Sequence, residues 1–146
     1  MIIVDSREKK WSHIEEFLID NNIPYTVKKL DQGDYLNTDN PYVVIDRKQN
    51  LDECASNLCT KDSNRFWREI RHAKENGIKV IVLVEHSNRI KTINDVPNWN
   101  SKWSKISGKK LSDEMFKVHV AYGVDWKFCD KAHTAQKILE LLNYDK

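Results

Sequence analysis

Glycine and proline are scarce in this chain, four and three in 146 residues, which excludes collagen-like, low-complexity and disordered classes. Cysteine is scarce too: Cys54, Cys59 and Cys129 are an odd set, so reduced thiols rather than a disulfide framework are expected. Cys and His show no compact zinc spacing. No apolar run approaches the roughly 18 residues of a membrane span. The opening MIIVDSRE puts carboxylates where a secretory signal carries its apolar segment. The expectation is an intracellular chain with no membrane partner. What is present is 32% charged and 40% hydrophobic residues, the balance of one globular domain spanning residues 1–146.

Net charge is only +2, but it is unevenly placed. Residues 1–48 carry 7 Lys and Arg against 9 Asp and Glu, whereas residues 61–110 carry 12 against 5. An acidic first third beside a basic middle suits a carboxylate site next to a polyanion-binding surface.

Apolar Ile2 to Val4 predicts a central strand carrying Asp5 at its tip. Trp11, Ile14, Phe17 and Leu18 keep helical spacing until DNN at Asp20 to Asn22 stops them. Pro24–Leu30 alternates as a half-buried strand, DQGDY reads as a turn, and Pro41–Lys48 is a second β-branched run. Asp62 or Ser63 is expected to cap a helix through Glu75, ended by Gly77. Ile78–Glu85 is the strongest strand pattern and is apolar on both faces. Residues 86–111 keep no period and read as a loop. A helix from about Ser112 to Tyr122, a strand over VDWKFC and a helix from Lys131 to Asn143, capped by Asp130, close the chain. Strands alternating with helices imply an α/β fold, a mixed sheet with helices on both faces.

Four acidic residues fall at strand ends or adjacent turns: Asp5, Glu8, Asp34 and Asp46. In VVIDRK a period of two puts Val44, Asp46 and Lys48 on one face and Val43, Ile45 and Arg47 on the other. A carboxylate inside an apolar strand needs a partner charge or a cation, because clustered carboxylates raise one another's pKa. Oxygen-only ligands suit Mg²⁺ or Mn²⁺. Asp34 followed twelve residues later by Asp46-x-Lys48 matches the PD-(D/E)xK nuclease pattern. The other reading is a structural Asp46–Lys48 ion pair with Asp34 as a turn residue.

A longer string narrows this. Gly33-Asp34, then Asp46-Arg47-Lys48, then Asp52, together with VDSRE at Val4–Glu8, NRFWREI at Asn64–Ile70, IVLVE at Ile81–Glu85 and TAQKILELL at Thr134–Leu142, resembles the XPF-family nuclease domain from end to end. The resemblance implies a restriction-endonuclease-like mixed central sheet flanked by helices. It implies Asp5, Glu8, Asp34 and Asp46 as ligands of Mg²⁺ or Mn²⁺, and Asp34, Asp46 and Lys48 as the catalytic set, Lys48 positioning or activating water. Asp46 stands where the family carries Glu. A standalone domain without the tandem helix-hairpin-helix module is expected.

On the helix after Asp62, Arg65, Arg68 and His72 share a stripe, opposite an apolar face of Phe66, Ile70 and Ala73. With Lys61, Arg7 and Arg47, Arg65 and Arg68 are expected to contact DNA phosphates. Trp99, Lys102, Trp103, Lys105, Lys109 and Lys110 interleave aromatics with cations; packing beneath the loop and stacking on an unpaired base are both open. The expected activity is metal-dependent, structure-specific endonucleolytic cleavage of branched or junction DNA. The alternatives are a DNA-binding or scaffold module of the same fold that does not cut, and a sequence-specific restriction-type enzyme. A homodimer built on the apolar last helix is expected, in the cytoplasm or associated with the nucleoid.

Overall fold

The computed structural model describes residues 1–61, 63–86 and 89–145. Its centre is one six-stranded mixed sheet. The strands are β1 (Ile2–Asp5), β2 (Tyr25–Lys28), β3 (Tyr35–Asn37), β4 (Asn40–Lys48), β5 (Lys79–Glu85) and β6 (Asp125–Cys129), in spatial order β2-β1-β3-β4-β5-β6. β3 runs antiparallel to both its neighbours, and the remaining pairs are parallel. β1 is buried along its whole length, as its unbroken apolar run requires. β2 lies at the edge and is largely exposed.

Helices cover both faces. α1 (Ser12–Asp20) and α5 (Thr134–Leu141) pack on one, with Ile2, Val4, Tyr35, Ile45, Ile81 and Leu83. α2 (Leu51–Cys59), α3 (Ser63–Glu75) and α4 (Gly108–Tyr122) cover the other, with Val82, Val84, Trp126 and Phe128. β5 therefore splits its side chains between two cores, which is why it is apolar on both faces.

The sequence pattern and the structure part in four places. β3 and α2 are not foreseen: β3 has three residues, too few for a period, and α2 begins straight after the strand that feeds it. α4 begins at Gly108, four residues before the expected start, because Ser107 caps it by accepting from Lys110 N. A 3-10 turn over Ile93–Asn98, closed by a Thr92–Asp95 capping box, gives the expected loop an internal frame. Asp130 caps not α5 itself but a 3-10 turn over Lys131–His133 that leads into it. Ser63 begins α3, and the other expected cap, Asp62, lies outside the described residues.

Candidate active site

The site begins with Gly33. Its φ is +74°, and a Cβ there would lie 2.8 Å from Val44 Cβ and 3.1 Å from Ile45 O. Only glycine lets the turn press this closely against β4. The next residue, Asp34, then bridges two strands by its backbone: its N–H donates to Ile45 O at 2.7 Å and its carbonyl accepts from Asp5 N at 2.8 Å. Its carboxylate accepts from Arg47 N through Oδ2 at 2.8 Å.

β4 presents the remaining groups on alternate faces. Asp46 and Lys48 turn toward α2 and α3: Lys48 Nζ donates to Asn57 Oδ1 at 2.6 Å, lies 3.3 Å from Asp46 Oδ1 and sits over the Phe66 ring at 5.6 Å. Arg47 turns to the α1 and α5 side. Asp34, Asp46 and Lys48 line a cleft of about 670 Å³ with Arg7, Arg65 and Arg68. Gln32 reaches across it toward α3, with Nε2 2.6 Å from His72 Nδ1.

Electrostatics distinguish the cleft residues. Burial first, then the charges of Asp46 and Glu8, push the Asp34 carboxyl up to about 8, against the opposing pull of Arg47 N–H and Lys48. Burial works against the charge on Lys48, but Asp46 and the other anions around it outweigh burial and raise its pKa. With no cation in the cleft, its charged form is favoured. A cation between Asp34 and Asp46 would relieve what burial and repulsion impose on Asp34.

The four expected metal ligands are not gathered into one set. Asp5 lines the cleft, but its carboxylate accepts from Arg7 Nε, Arg7 NH2, Arg7 N and Leu30 N. Those four donors hold its pKa low although burial opposes them. Glu8 is turned to Arg47, whose Nε donates to Oε2 at 2.9 Å. Among the described residues, no group of three or more His, Cys, Asp or Glu is arranged to hold a metal ion. Asp34 and Asp46 remain, two carboxylates facing one cleft. That donor set fits Mg²⁺ or Mn²⁺, which is commonly bound by one or two carboxylates and completes its shell with water and substrate phosphate.

The expected DNA contacts divide in the same way. Lys61, Arg65 and Arg68 are exposed, and Arg7 is tied to Asp5 yet 60% exposed. Arg47 is not available: it is 3% exposed. Its guanidinium donates to Glu8, to Glu85 and to the carbonyl of Lys9. Glu85, itself buried, completes this network by accepting from Thr134 Oγ1 at 2.6 Å and lying 2.6 Å from His13 Nε2. Asn57, Glu85, His13 and Thr134 are absent from the sequence-level candidates. Glu85 carries a signal, an acid ending the most apolar strand; the others come from distant helices and carry none. Asp52, the last residue of the quoted string, does not reach the cleft and instead accepts from Ser101 Oγ.

Comparison with known proteins adds three findings. The ERCC4 domain family model matches residues 4–142. No curated protein matches the chain. Among solved structures, XPF from Aeropyrum pernix superposes with a TM-score of 0.73 at 22% identity, over 97% of this chain and 63% of that one. XPF from Aeropyrum pernix in complex with DNA gives 0.71 at 23%, over 97% and 62%. The chain thus spans a little under two thirds of each.

Proposed function

The chain belongs to the ERCC4 domain family, and from that membership and the chemistry of the cleft we propose that it is a metal-dependent endonuclease that hydrolyses phosphodiester bonds in branched or junction DNA. The observation that carries the proposal is the convergence of Asp34, Asp46 and a charged Lys48 in one cleft rimmed by Arg7, Arg65 and Arg68.

A divalent cation held by Asp34 and Asp46 would acidify its bound water and offset phosphoryl charge. The protein's own groups do the rest. Arg65 and Arg68, on the solvent face of α3, attract the phosphate backbone, and Arg7 meets it from the opposite rim. Lys48 is held at the floor of the cleft by Asn57. As an ammonium it donates hydrogen bonds, so its role is to orient the attacking water and to stabilise charge developing on the phosphoryl oxygens. Asp46 holds that ammonium at 3.3 Å.

Glu8 and Asp5 support the site without lining up as ligands, through Arg47 and Arg7. A homodimer is part of the proposal, with two candidate surfaces. Ala135, Ile138 and Leu142 of the last helical segment are buried in this chain's own core, while Leu139, Leu141 and Tyr144 are only half-buried against it and leave part of the expected surface open. The exposed large apolar residues of the C-terminal half include Phe116 and Val120 on α4. Among the described residues, no helix is long and apolar enough to cross a membrane. Cleavage of labelled forks, flaps, four-way junctions and plain duplex, with and without Mg²⁺, tests the activity. Cutting of the branched substrates that needs the metal supports it, and binding without cutting under any metal condition supports the scaffold reading.

A further inference from the structure

Trp103 is 85% exposed, although tryptophan is the side chain with most to gain from burial. It does not sit on a loose segment. Asn100 and Ser107 form a β-bridge that closes the loop. Inside it, Ser101 Oγ donates to Asp52 on α2 and accepts from the backbone N–H groups of Trp103 and Ser104 at 3.1 and 3.0 Å. At its base Gly108 is packed so closely that a Cβ would fall 2.2 Å from Val96 O and 2.3 Å from Trp99 O. Trp99 and Ile106 anchor the loop by packing against the core. Of the two loop tryptophans, Trp99 does the packing and Trp103 is held out in solvent.

The segment that carries Trp103 is cationic. From Val96 to Ser112 there is no Asp or Glu, and Lys102, Lys105, Lys109 and Lys110 are all exposed. A rigid aromatic face among cations suits a ligand with negative charge and flat π-surfaces, which describes an unpaired nucleotide. Helix α2 connects this platform to the cleft, since Asp52 holds Ser101 and Asn57 of the same helix holds Lys48.

We propose that Trp103 is a stacking platform for an unpaired base, with Lys102 and Lys105 on the adjoining phosphates, so that the single-stranded arm of a branched substrate is bound outside the cleft. The inference rests on the nuclease reading and names which part of the substrate this loop takes. Trp103 belongs to neither core, so Trp103→Ala should fold as the wild type does.

The test uses metal-free full-length protein and two DNAs, a duplex with a single-stranded flap carrying 2-aminopurine and a blunt duplex of the same sequence. The wild type should quench the 2-aminopurine on binding. Trp103→Ala should lose the quench and about tenfold in affinity for the flap DNA, with blunt-duplex affinity unchanged, and Trp103→Phe should retain most of both. Equal loss on both DNAs, or flap affinity and quench unchanged in Trp103→Ala while the wild type still cleaves, overturns the stacking role and leaves the nuclease reading standing. A dimer that dissociates in Trp103→Ala with flap binding intact would assign the residue to a protein contact and also overturn the inference. Wild-type protein that binds neither DNA overturns both.

Discussion

Arg47 holds Glu8 from the face of β4 opposite the cleft, its Nε 2.9 Å from Glu8 Oε2, while its backbone N–H, pointing along the sheet, donates to Asp34 at 2.8 Å. One residue thus fixes two of the acidic side chains by which the site is recognised. The same guanidinium is anchored on Glu85, so the network reaches from the first turn of the chain to α5.

This predicts that Arg47 acts on stability as well as on the site. Arg47→Met leaves Glu8 and Glu85 buried without their cation and should destabilise the fold by about 3–5 kcal/mol in urea denaturation. Glu85→Gln should relieve part of that loss, so the double variant should fall clearly short of the sum of the two singles. Strict additivity would show that the pair is not coupled.

Asp34 opposes folding when no cation is bound. Its carboxyl is raised from an ordinary 3.8 to about 8 by burial and by Asp46 and Glu8. Between those values the folded chain holds a proton that the unfolded chain has lost, so the stability of chelator-treated protein should fall as pH rises through that window. Asp34→Asn should flatten this dependence and raise the neutral-pH melting temperature by several degrees, as a change of about 1–2 kcal/mol would. In calorimetry the same variant should bind Mn²⁺ more weakly. A melting temperature lowered by the substitution, with Mn²⁺ binding intact, would remove Asp34 from the site.

Much of this was legible in the sequence, and what was not has a physical cause. Asp46-x-Lys48 is readable because a period of two is a local fact, and Gly33-Asp34 because it belongs to the string that resembles the family; that only glycine fits there depends on Val44 and Ile45 of β4. The two-core arrangement follows from β5 for the same reason. Arg47 reads as surface because it stands in a string of charges, whereas its burial depends on Glu85, 38 residues away. Asp5 and Glu8 read as ligands because sequence shows which residues are acidic but not which already have donors. Asn57, and which of Trp99 and Trp103 packs and which is held in solvent, depend on how α2 and the loop are docked, and no local pattern encodes that.

Arg65 is exposed on the cleft rim and, among the described residues, paired with Glu69, four residues along α3, at 3.3 Å. Such a surface pair is easily exchanged for a phosphate. Arg65→Ala should weaken binding to all DNA sequences alike and reduce the slope of log K against log salt by about one. A loss confined to one sequence would instead mark a base contact.

The proposed homodimer should appear in light scattering at micromolar concentration as about twice the 17.2 kDa chain mass. Val120→Glu, at an 81% exposed position of α4, should shift that equilibrium toward the monomer. A single-chain mass both free and with a junction bound would show that the domain works alone or with another protein.

Whether this cleft cuts DNA with Lys48 as a charged group at its floor is decided by cleavage and binding of one junction substrate by Lys48→Ala beside the wild type in Mg²⁺. Cleavage should fall by orders of magnitude with affinity nearly unchanged, because one lysine is a small part of the electrostatic attraction. Cleavage at the wild-type rate, or cleavage and affinity lost in equal measure, would contradict that role.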